Sequence, residues 1–247
     1  MVSNRTKSKI GFTVMGISLI ALIVLFGTYF LMGSRAANVD KDPNGTAEAA
    51  QDGSSPADDG GIDWNYWQSV NPDVIGWIEV PGTKIDSPIV QAHADDPTFY
   101  LHHDVYGDRN VYGCPYLDAG CEDTGGLASP NAVIFGHHMN DGSMFAAFAK
   151  FSDEDFLKAH RTIYIYTPGA TYVVNAQASD VVPGWDAVKR TAFTSEADFD
   201  AYAKERLDDC GTNLADEKEV ATLTHMFTFV TCSYNRWQNE RTLVYAW

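Results

Sequence analysis

The amino-acid sequence predicts a mostly β domain with a few helices, preceded by one transmembrane helix. Short apolar runs cut by proline and glycine recur from residue 74 onward, which is typical of strands joined by turns. The alternating run 228–232 ends on a cysteine, as a strand that presents a side chain would. Residues 10–32 carry no charge and are long enough at helical rise to cross a bilayer core of about 30 Å.

The composition indicates one sizeable folded domain with appendages. Of 247 residues, 45% are hydrophobic and 13% aromatic, which is ample for a packed core. Four of the 17 basic residues lie in residues 1–35, and the remainder sets 13 basic residues against 33 acidic ones. A strongly acidic exterior repels nucleic-acid phosphates, so we expect no nucleic-acid partner.

Four segments follow from these patterns. We assign residues 1–9 to a cytoplasmic tail, 10–33 to a transmembrane signal anchor and 62–247 to the folded domain. Residues 34–61 are rich in Asp, Gly, Ser, Pro, Ala and Asn, a composition that buries little and predicts a flexible linker.

Basic residues orient the predicted span. Three of them precede it and Arg35 alone follows it, so the positive-inside rule predicts a single-pass protein with a cytoplasmic N-terminus and an extracellular domain. A cleaved signal peptide is the alternative, because the small residues Ala36 and Ala37 follow Arg35. The uncharged run is longer than the apolar core of an ordinary signal peptide, which favours the anchor.

Helices are predicted at three places in the domain. Residues 62–70 have tryptophans at helical spacing and end at Asn71 and Pro72. Residues 143–151 carry an aromatic stripe, and a further helix begins after Ser152. Ser195 opens a capping-box-like sequence, followed by one apolar face composed of Phe199, Tyr202, Ala203 and Leu207.

Strands account for most of the remaining apolar runs. We expect short strands and turns over 74–90, and strands at 111–118, 133–135, 162–166, 171–177, 221–231 and 242–247. Pro168 and Gly169 make the pair 162–166 and 171–177 a predicted hairpin.

Three strand-end residues point to acyl-transfer chemistry. Cys232 ends the run 228–232, where a rigid element would hold a nucleophile; the alternative is a small buried hydrophobe. The run 131–135 breaks at Gly136 and is followed by His137. Arg241 precedes the last apolar run. Proton carrier, nucleophile and oxyanion partner are the parts that acyl transfer needs.

Each residue has a predicted role. A thiol with a pKa near about 8.5 is only slightly ionised at neutral pH, so Cys232 needs His137 as proton acceptor, and the same ring later acts as the acid. Arg241 would hold the developing oxyanion or orient the substrate; Arg236 competes for that role. Thr231 is a weaker candidate, as a hydroxyl that binds substrate. The sequence contains no spaced Cys/His cluster, so it predicts no metal site.

These motifs resemble those of class B sortases. Residues 131–145 resemble the signature Gly-His-Asn-Met-x-Asp-Gly-Ser-Met-Phe of that family, and 228–232 resemble its Thr-Leu-x-Thr-Cys box. Further similar segments occur in the family's order, and the likeness spans nearly all of 62–247; they are 71–78, 80–86 and 100–104. Phe229 stands in place of leucine and His138 in place of asparagine. The family pattern assigns the catalytic role to His137 rather than to its neighbour.

The resemblance implies a fold and an activity. The fold would be a β-barrel of about eight strands with an N-terminal helix and a helix inserted between the late strands. The activity would be a membrane-anchored cysteine transpeptidase that cleaves a C-terminal sorting signal after threonine through a Cys232 thioester. The acyl group would pass from a surface protein or pilin to an amine of peptidoglycan precursor or of a pilin lysine, with no cofactor. A cysteine peptidase that uses water and a non-catalytic surface scaffold are the alternatives.

The remaining cysteines leave pairings open. Cys114 and Cys121 bracket a turn-like segment, and an oxidising exterior permits a disulfide between them, although connectivity cannot be deduced from sequence. Cys210 is predicted to pack or to remain a lone thiol. A bond between Cys210 and Cys232 would exclude the nucleophile.

Overall fold

The computed structural model describes residues 4–37, 39–44, 60–185, 189–233 and 239–247. The chain divides into two compact units, Met1–Val39 and Asp40–Trp247. The first unit contains one long helix, α1 (Asn4–Ala37). Among the described residues no helix is both long and apolar enough to cross a bilayer, so the structure does not support the transmembrane helix predicted over 10–33. Residues 1–3 of the predicted tail and the side chains of 4–17 lie outside the described part.

The second unit is built on one closed sheet. In chain order its strands are β1 (Val74–Glu79), β2 (Asp86–Gln91), β3 (Tyr116–Leu117), β4 (Asn131–Phe135), β5 (Thr162–Tyr166), β6 (Thr171–Pro183), β7 (Thr212–Asn213), β8 (Met226–Ser233) and β9 (Glu240–Ala246). Their order in the sheet is β5-β1-β2-β3-β4-β8-β9-β6-β7, and β5 also pairs with β6. Eight strands therefore close a ring, and the short β7 lies on β6 outside it. The predicted barrel of about eight strands is confirmed.

Four helices of the second unit begin where the sequence places a capping side chain. They are α2 (Trp64–Val70), α3 (Glu154–Ala159), α4 (Glu196–Asp208) and α5 (Glu217–Val220). Asp63 accepts from the backbone N–H of Tyr66, and the Ser195 side chain accepts from that of Asp198; each bond satisfies an N–H that the first helical turn leaves unpaired. The predicted N-terminal helix and the helix inserted between the late strands are confirmed.

Two predicted strands differ in extent. Within the region predicted over 111–118 only β3 forms, and Gly113 has a φ of 61° with the carbonyl of Tyr100 2.5 Å from the position its Cβ would take. Only glycine fits so close to that carbonyl. The positive φ turns the chain at this point, so it is not extended. The strand predicted over 221–231 begins only at Met226, because the residues before it follow the short helix α5. Likewise the aromatic stripe after residue 143 forms a 3₁₀ segment, Ala146–Ser152.

Alternate residues of the late strands enter two different cores. Phe227 and Phe229 of β8 belong to the cluster inside the barrel, together with the rings of the 3₁₀ segment. Met226 and Val230 belong to a second cluster on the outer face of the sheet, where they meet the apolar side of α4. The period of two along a strand produces this division. By this alternation, the even-numbered residues of β8 point to the outer face of the sheet.

Part of the predicted linker contacts the folded domain. The indole N–H of Trp67 donates to the carbonyl of Asp40 at 3.2 Å, and Lys41 forms an ion pair with Glu79 at 2.5 Å. Residues 45–59 of the predicted linker lie outside the described residues.

Replacement of Phe229 tests the inner core. Its ring is fully buried and stacks on Phe148 with the centroids 4.8 Å apart. We expect Phe229→Ala to lower the free energy of unfolding by about 3–5 kcal/mol, because it removes apolar contacts and leaves a cavity. Denaturant unfolding measures the change. Val173→Ala, at a β6 position that is 58% exposed, is the matched control, and equal losses in the two variants would contradict this assignment of the core.

Candidate active site

Cys232 lies near the end of β8 and on its outer face. It continues the even-numbered positions that Met226 and Val230 place outside the barrel. The other residues of β8 are buried, whereas Cys232 is partly exposed and carries a free thiol. Its sulfur is therefore directed away from the barrel interior, at an accessible strand end.

Arg241 lies directly opposite Cys232. The antiparallel pairing of β8 with β9 makes the two residues Cα partners, and opposite residues of a pair place their side chains on one face with their Cβ atoms about 4.5–5.5 Å apart. The next outward residues of β9, Leu243 and Tyr245, join the outer cluster, which confirms the face. The guanidinium Nη1 donates to the carbonyl of Glu240 at 3.0 Å and to the Asn239 side chain at 3.3 Å.

His137 follows β4, the strand that flanks β8 on the side opposite β9. Strand β4 runs parallel to β8, with Phe135 in register with Val230, and the same offset leads from His137 to Cys232. Two hydrogen bonds continue this alignment beyond the strand: Gly136 N–H donates to Val230 O at 3.1 Å, and Thr231 Oγ1 donates to Gly136 O at 2.9 Å. The structure thus places Cys232 and Arg241 on one face of the sheet, and His137 two residues past the end of the neighbouring strand β4.

The ring of His137 is oriented by a backbone carbonyl. Its Nε2 lies 2.8 Å from the carbonyl oxygen of Leu101. A carbonyl oxygen only accepts, so Nε2 carries the hydrogen. In the neutral ring Nδ1 is then the basic nitrogen, and it is the atom that exchanges a proton. A backbone carbonyl leaves no side-chain motif, so the sequence did not predict this contact between Leu101 and His137.

The neighbouring histidine has a different contact. Nδ1 of His138 lies 2.8 Å from the backbone carbonyl of Cys232. The two adjacent rings are therefore each bonded through one nitrogen to a different main-chain carbonyl. His138 touches the nucleophile's backbone, a contact that the sequence did not predict.

Thr231 is not brought to this face. It is 2% exposed, occupies the position of β8 that points to the barrel interior, and donates its hydroxyl to Gly136 O. The hydrogen bond of Thr231 joins β8 to the chain after β4. The side chain of Thr231 therefore points away from the face that carries Cys232 and Arg241. Arg236, the competitor of Arg241, lies outside the described residues.

Tyr116 belongs to the site and was missed. It is a Cα partner of Phe135 across β3 and β4, and the two rings stack with centroids 5.4 Å apart. Burial raises the pKa of Tyr116 to about 12, and smaller electrostatic effects come from Asp118, Arg241 and Cys232. The pairing with Phe135, which packs against the outer cluster, puts Tyr116 on the outer face of the sheet. The sequence signalled only a short strand here.

The other cysteines are free and differ from Cys232. Cys114 and Cys121 are buried, and their sulfurs lie near different carbonyls, those of Pro88 and Asn131. Cys210 is free as well. Burial raises the pKa of all three thiols. The disulfide between Cys114 and Cys121 is absent, and no bond to Cys210 removes the Cys232 thiol.

A group formed by His93, two carboxylates and Tyr100 borders the Leu101 segment. His93 lies with Nε2 3.0 Å from Asp73 and Nδ1 2.8 Å from Glu122. Hydrogen bonds to these carboxylates, first Asp73 and then Glu122, raise the pKa of His93. The hydroxyl of Tyr100 donates to Asp73 at 2.6 Å, and Tyr100 immediately precedes the carbonyl that orients His137.

Comparisons with known proteins point to one family. A sortase-domain family model matches residues 78–247. Sortase B of Listeria monocytogenes is 36% identical over 136 residues, which are 55% of this chain and 53% of that protein. Sortase B of Staphylococcus aureus is 23% identical over 138 residues, 56% of this chain and 55% of that protein. The match thus spans about half the length of these relatives. The X-ray structure of Clostridium perfringens sortase B superposes with a TM-score of 0.64 and 27% identity, covering 74% of this chain and 97% of that one.

The His93 cluster predicts a pH-dependent stability. Folding raises the pKa of His93 above 6.5. The stabilisation that protonated His93 gives to the folded state is therefore complete below about pH 6.5, and it is lost as the pH rises through the folded-state pKa. We expect His93→Gln to lower the Tm by about 1–3 °C at about pH 6, because partly exposed ion pairs contribute little, and by less at about pH 9. Calorimetry at both pH values measures this.

His160→Gln is the control, because that exposed ring lies near the carbonyl of Pro81 rather than between carboxylates. A Tm difference for His93→Gln that is the same at both pH values would contradict the assignment of charge to His93.

Proposed function

Because the chain belongs to the sortase family, we propose that it is a cysteine transpeptidase of the class B type. The observation that supports the proposal is the pairing of β8 with β4 on one side and β9 on the other, which sets Arg241 opposite Cys232 and puts His137 two residues beyond the end of β4. Side chains held by strands keep a fixed geometry, which acyl transfer requires. The similarity to sortase B proteins supports the same activity.

The first half-reaction cleaves the sorting signal. Nδ1 of His137 takes the thiol proton while Sγ of Cys232 attacks the carbonyl carbon of the threonine. The carbonyl oxygen becomes an oxyanion, and the permanently charged guanidinium of Arg241 stabilises it. The carbon–nitrogen bond then breaks, and the departing amine receives the proton from Nδ1. The products are a thioester on Cys232 and the released C-terminal fragment.

The second half-reaction transfers the acyl group. An incoming amine loses a proton to Nδ1 of His137 and attacks the thioester carbon. The new oxyanion collapses, the carbon–sulfur bond breaks, and the sulfur regains the proton. The enzyme returns to its starting state with a new amide bond formed.

The substrates follow from the family resemblance. The acyl donor is a surface protein or pilin with a C-terminal sorting signal, and the acceptor is an amine of peptidoglycan precursor or of a pilin lysine. The same residues would serve a peptidase that passes the thioester to water. The partial exposure of Cys232 on the outer face favours either enzyme over a catalytically silent scaffold.

The cellular location is also a proposal. The uncharged run 10–32, with three basic residues before it and Arg35 after it, supports a single-pass anchor with the catalytic domain outside the cell. That face of the membrane is where sorting signals and cell-wall amines are available.

Substitution of the three site residues tests the chemistry. We expect Cys232→Ala to form no thioester, and His137→Ala to slow acylation by about 100-fold or more because the proton carrier is lost. Arg241→Lys keeps the charge but loses the planar fork, so we expect a decrease of about 10- to 100-fold. Mass spectrometry of the acyl-enzyme on a panel of sorting-signal peptides, with and without an added amine, measures each step.

Cys210→Ser is the matched control, since it removes a free thiol that lies just after α4 rather than on β8. Acylation that persists in Cys232→Ala and disappears in Cys210→Ser would refute the site. A product that remains hydrolysed at high amine concentration would identify the peptidase instead of the transpeptidase.

Membrane fractionation tests the location. The full chain should sediment with membranes and resist a high-salt wash, because an apolar anchor is insensitive to ionic strength. A chain that begins at residue 34 should remain in the supernatant. A full chain recovered in the supernatant with its N-terminal residues intact would contradict the anchor, and cleavage near Ala37 would identify a signal peptide.

A further inference from the structure

The carbonyl of Cys232 lies on the edge of β8 that faces β4. Gly136 N–H donates to Val230 O at 3.1 Å across this edge. Carbonyl groups two residues apart point to the same edge of a strand, so the Cys232 carbonyl points the same way. Strand β4 ends at Phe135, and the Cys232 carbonyl meets the chain that follows it.

The ring of His138 bonds this carbonyl. Nδ1 of His138 lies 2.8 Å from Cys232 O, and because the oxygen can only accept, Nδ1 carries the hydrogen. In a continued parallel ladder the donor would be the backbone N–H of residue 138, two residues after Gly136. That residue instead forms an isolated antiparallel bridge with Met144. The imidazole thus takes the place of the next main-chain hydrogen bond.

The turn after His138 fixes where the ring can lie. Phe145 N–H donates to His137 O at 2.8 Å, and Met144 adopts a left-handed backbone with a φ of 53°. Phe145 is fully buried in the inner core. A backbone hydrogen bond and the buried ring of Phe145 therefore hold the loop in place, with the His138 ring against the end of β8.

We propose that His138 is a positioning residue, which fixes the peptide unit of Cys232 and so directs the sulfur toward His137 and Arg241. Strand β9 pairs with β8 along one edge, with Arg241 opposite Cys232, and the His138 ring bonds the Cys232 carbonyl on the other edge. Cys232 is followed by only one further residue of β8, so the strand end depends on both edges. Proton transfer remains with His137, because Nδ1–H of His138 is committed to a carbonyl in both protonation states of the ring.

Covalent structure supplies a matched pair of variants. Nδ1 of histidine is bonded to Cγ, and so is the amide nitrogen of asparagine, so His138→Asn keeps a donor at the same distance from the backbone. His138→Leu puts a methyl group there, with similar volume and no donor. The pair separates the hydrogen bond from the space that the side chain fills.

The test is the rate at which the Cys232 thiol of the full chain reacts with iodoacetamide, measured as a function of pH by mass spectrometry of the peptide that contains it. The titratable and charged groups near this thiol include His138, Arg241 and Tyr116, and the profile reports their effect together with that of the proposed proton acceptor His137. We expect His138→Leu to be slower at neutral pH by about fivefold to tenfold, the effect of one lost hydrogen bond. Its profile should shift to higher pH and meet that of the wild type where every thiol is ionised.

His138→Asn should react within about threefold of the wild type, because its amide donates from the same position. Equal rates in the Asn and Leu variants, whether both fast or both slow, would overturn the proposal; if both are slow and lose the pH dependence, His138 is itself the proton carrier. If His138→Leu does not fold, as judged by its thermal transition, His138→Ala replaces it. His160→Ala, which removes another ring bonded to a backbone carbonyl, should leave the profile unchanged.

Alkylation needs no sorting signal, so it tests the inference apart from the proposed function on which its biological meaning rests. Acyl transfer to an amine is measured on the same variants, and we expect kcat to fall in His138→Leu with little change in KM. If the wild type transfers no acyl group but the alkylation order stands, the proposed function fails and the positioning role remains. If the wild type transfers normally and the alkylation rates do not differ, the positioning role fails alone.

Discussion

The register between β4, β8 and β9 is the constraint on which the site depends. Side chains alternate along a strand, so a slip of one residue would move Cys232 from the outer face into the barrel. Two threonine hydroxyls of β8 fix the register at both ends of its parallel pairing: Thr228 donates to the Asn131 side chain at 2.6 Å, and Thr231 donates to Gly136 O at 2.9 Å. Between them Phe229 is buried in the inner core. A slip would break both hydrogen bonds and expose the ring.

The site lies where the outer core ends. Helix α4 covers the outer face of the sheet through Tyr202 and its apolar neighbours, which contact Val133, Val230 and Leu243. The next outward positions on β8 and β9 are the partly exposed Cys232 and Arg241, and His137 follows β4 two residues after Phe135. A buried apolar layer beneath the site keeps the strand ends rigid, while the chemistry stays accessible. The outer face of the sheet thus supports the strand ends where it is buried and exposes the site residues where the buried layer ends.

Local signals in the sequence were sufficient for much of the fold. The side chains of Ser195 and Asp63 begin α4 and α2, and the turn at Pro168 and Gly169 joins β5 to β6, because each depends only on residues near it in the chain. The strand-end positions of Cys232 and His137 could be predicted for the same reason. The two-residue β3 could not, since it forms only between β2 and β4. The disulfide pairing was also undecidable, because it depends on distances between distant segments. The inward face of Thr231, by contrast, was readable from its position next to Cys232.

Main-chain acceptors distinguish the two adjacent histidines. The carbonyl of Leu101 binds Nε2 of His137 and leaves Nδ1 for proton exchange, whereas the carbonyl of Cys232 binds Nδ1 of His138. Since both acceptors are backbone groups on segments remote in sequence, no side-chain motif distinguishes the two rings. The Leu101 segment is itself joined through Tyr100 to Asp73 and His93. The tautomer of His137 is therefore set by the segment before β3, whereas the backbone of Cys232 is bonded by the loop after β4, so the two residues are held by different parts of the fold.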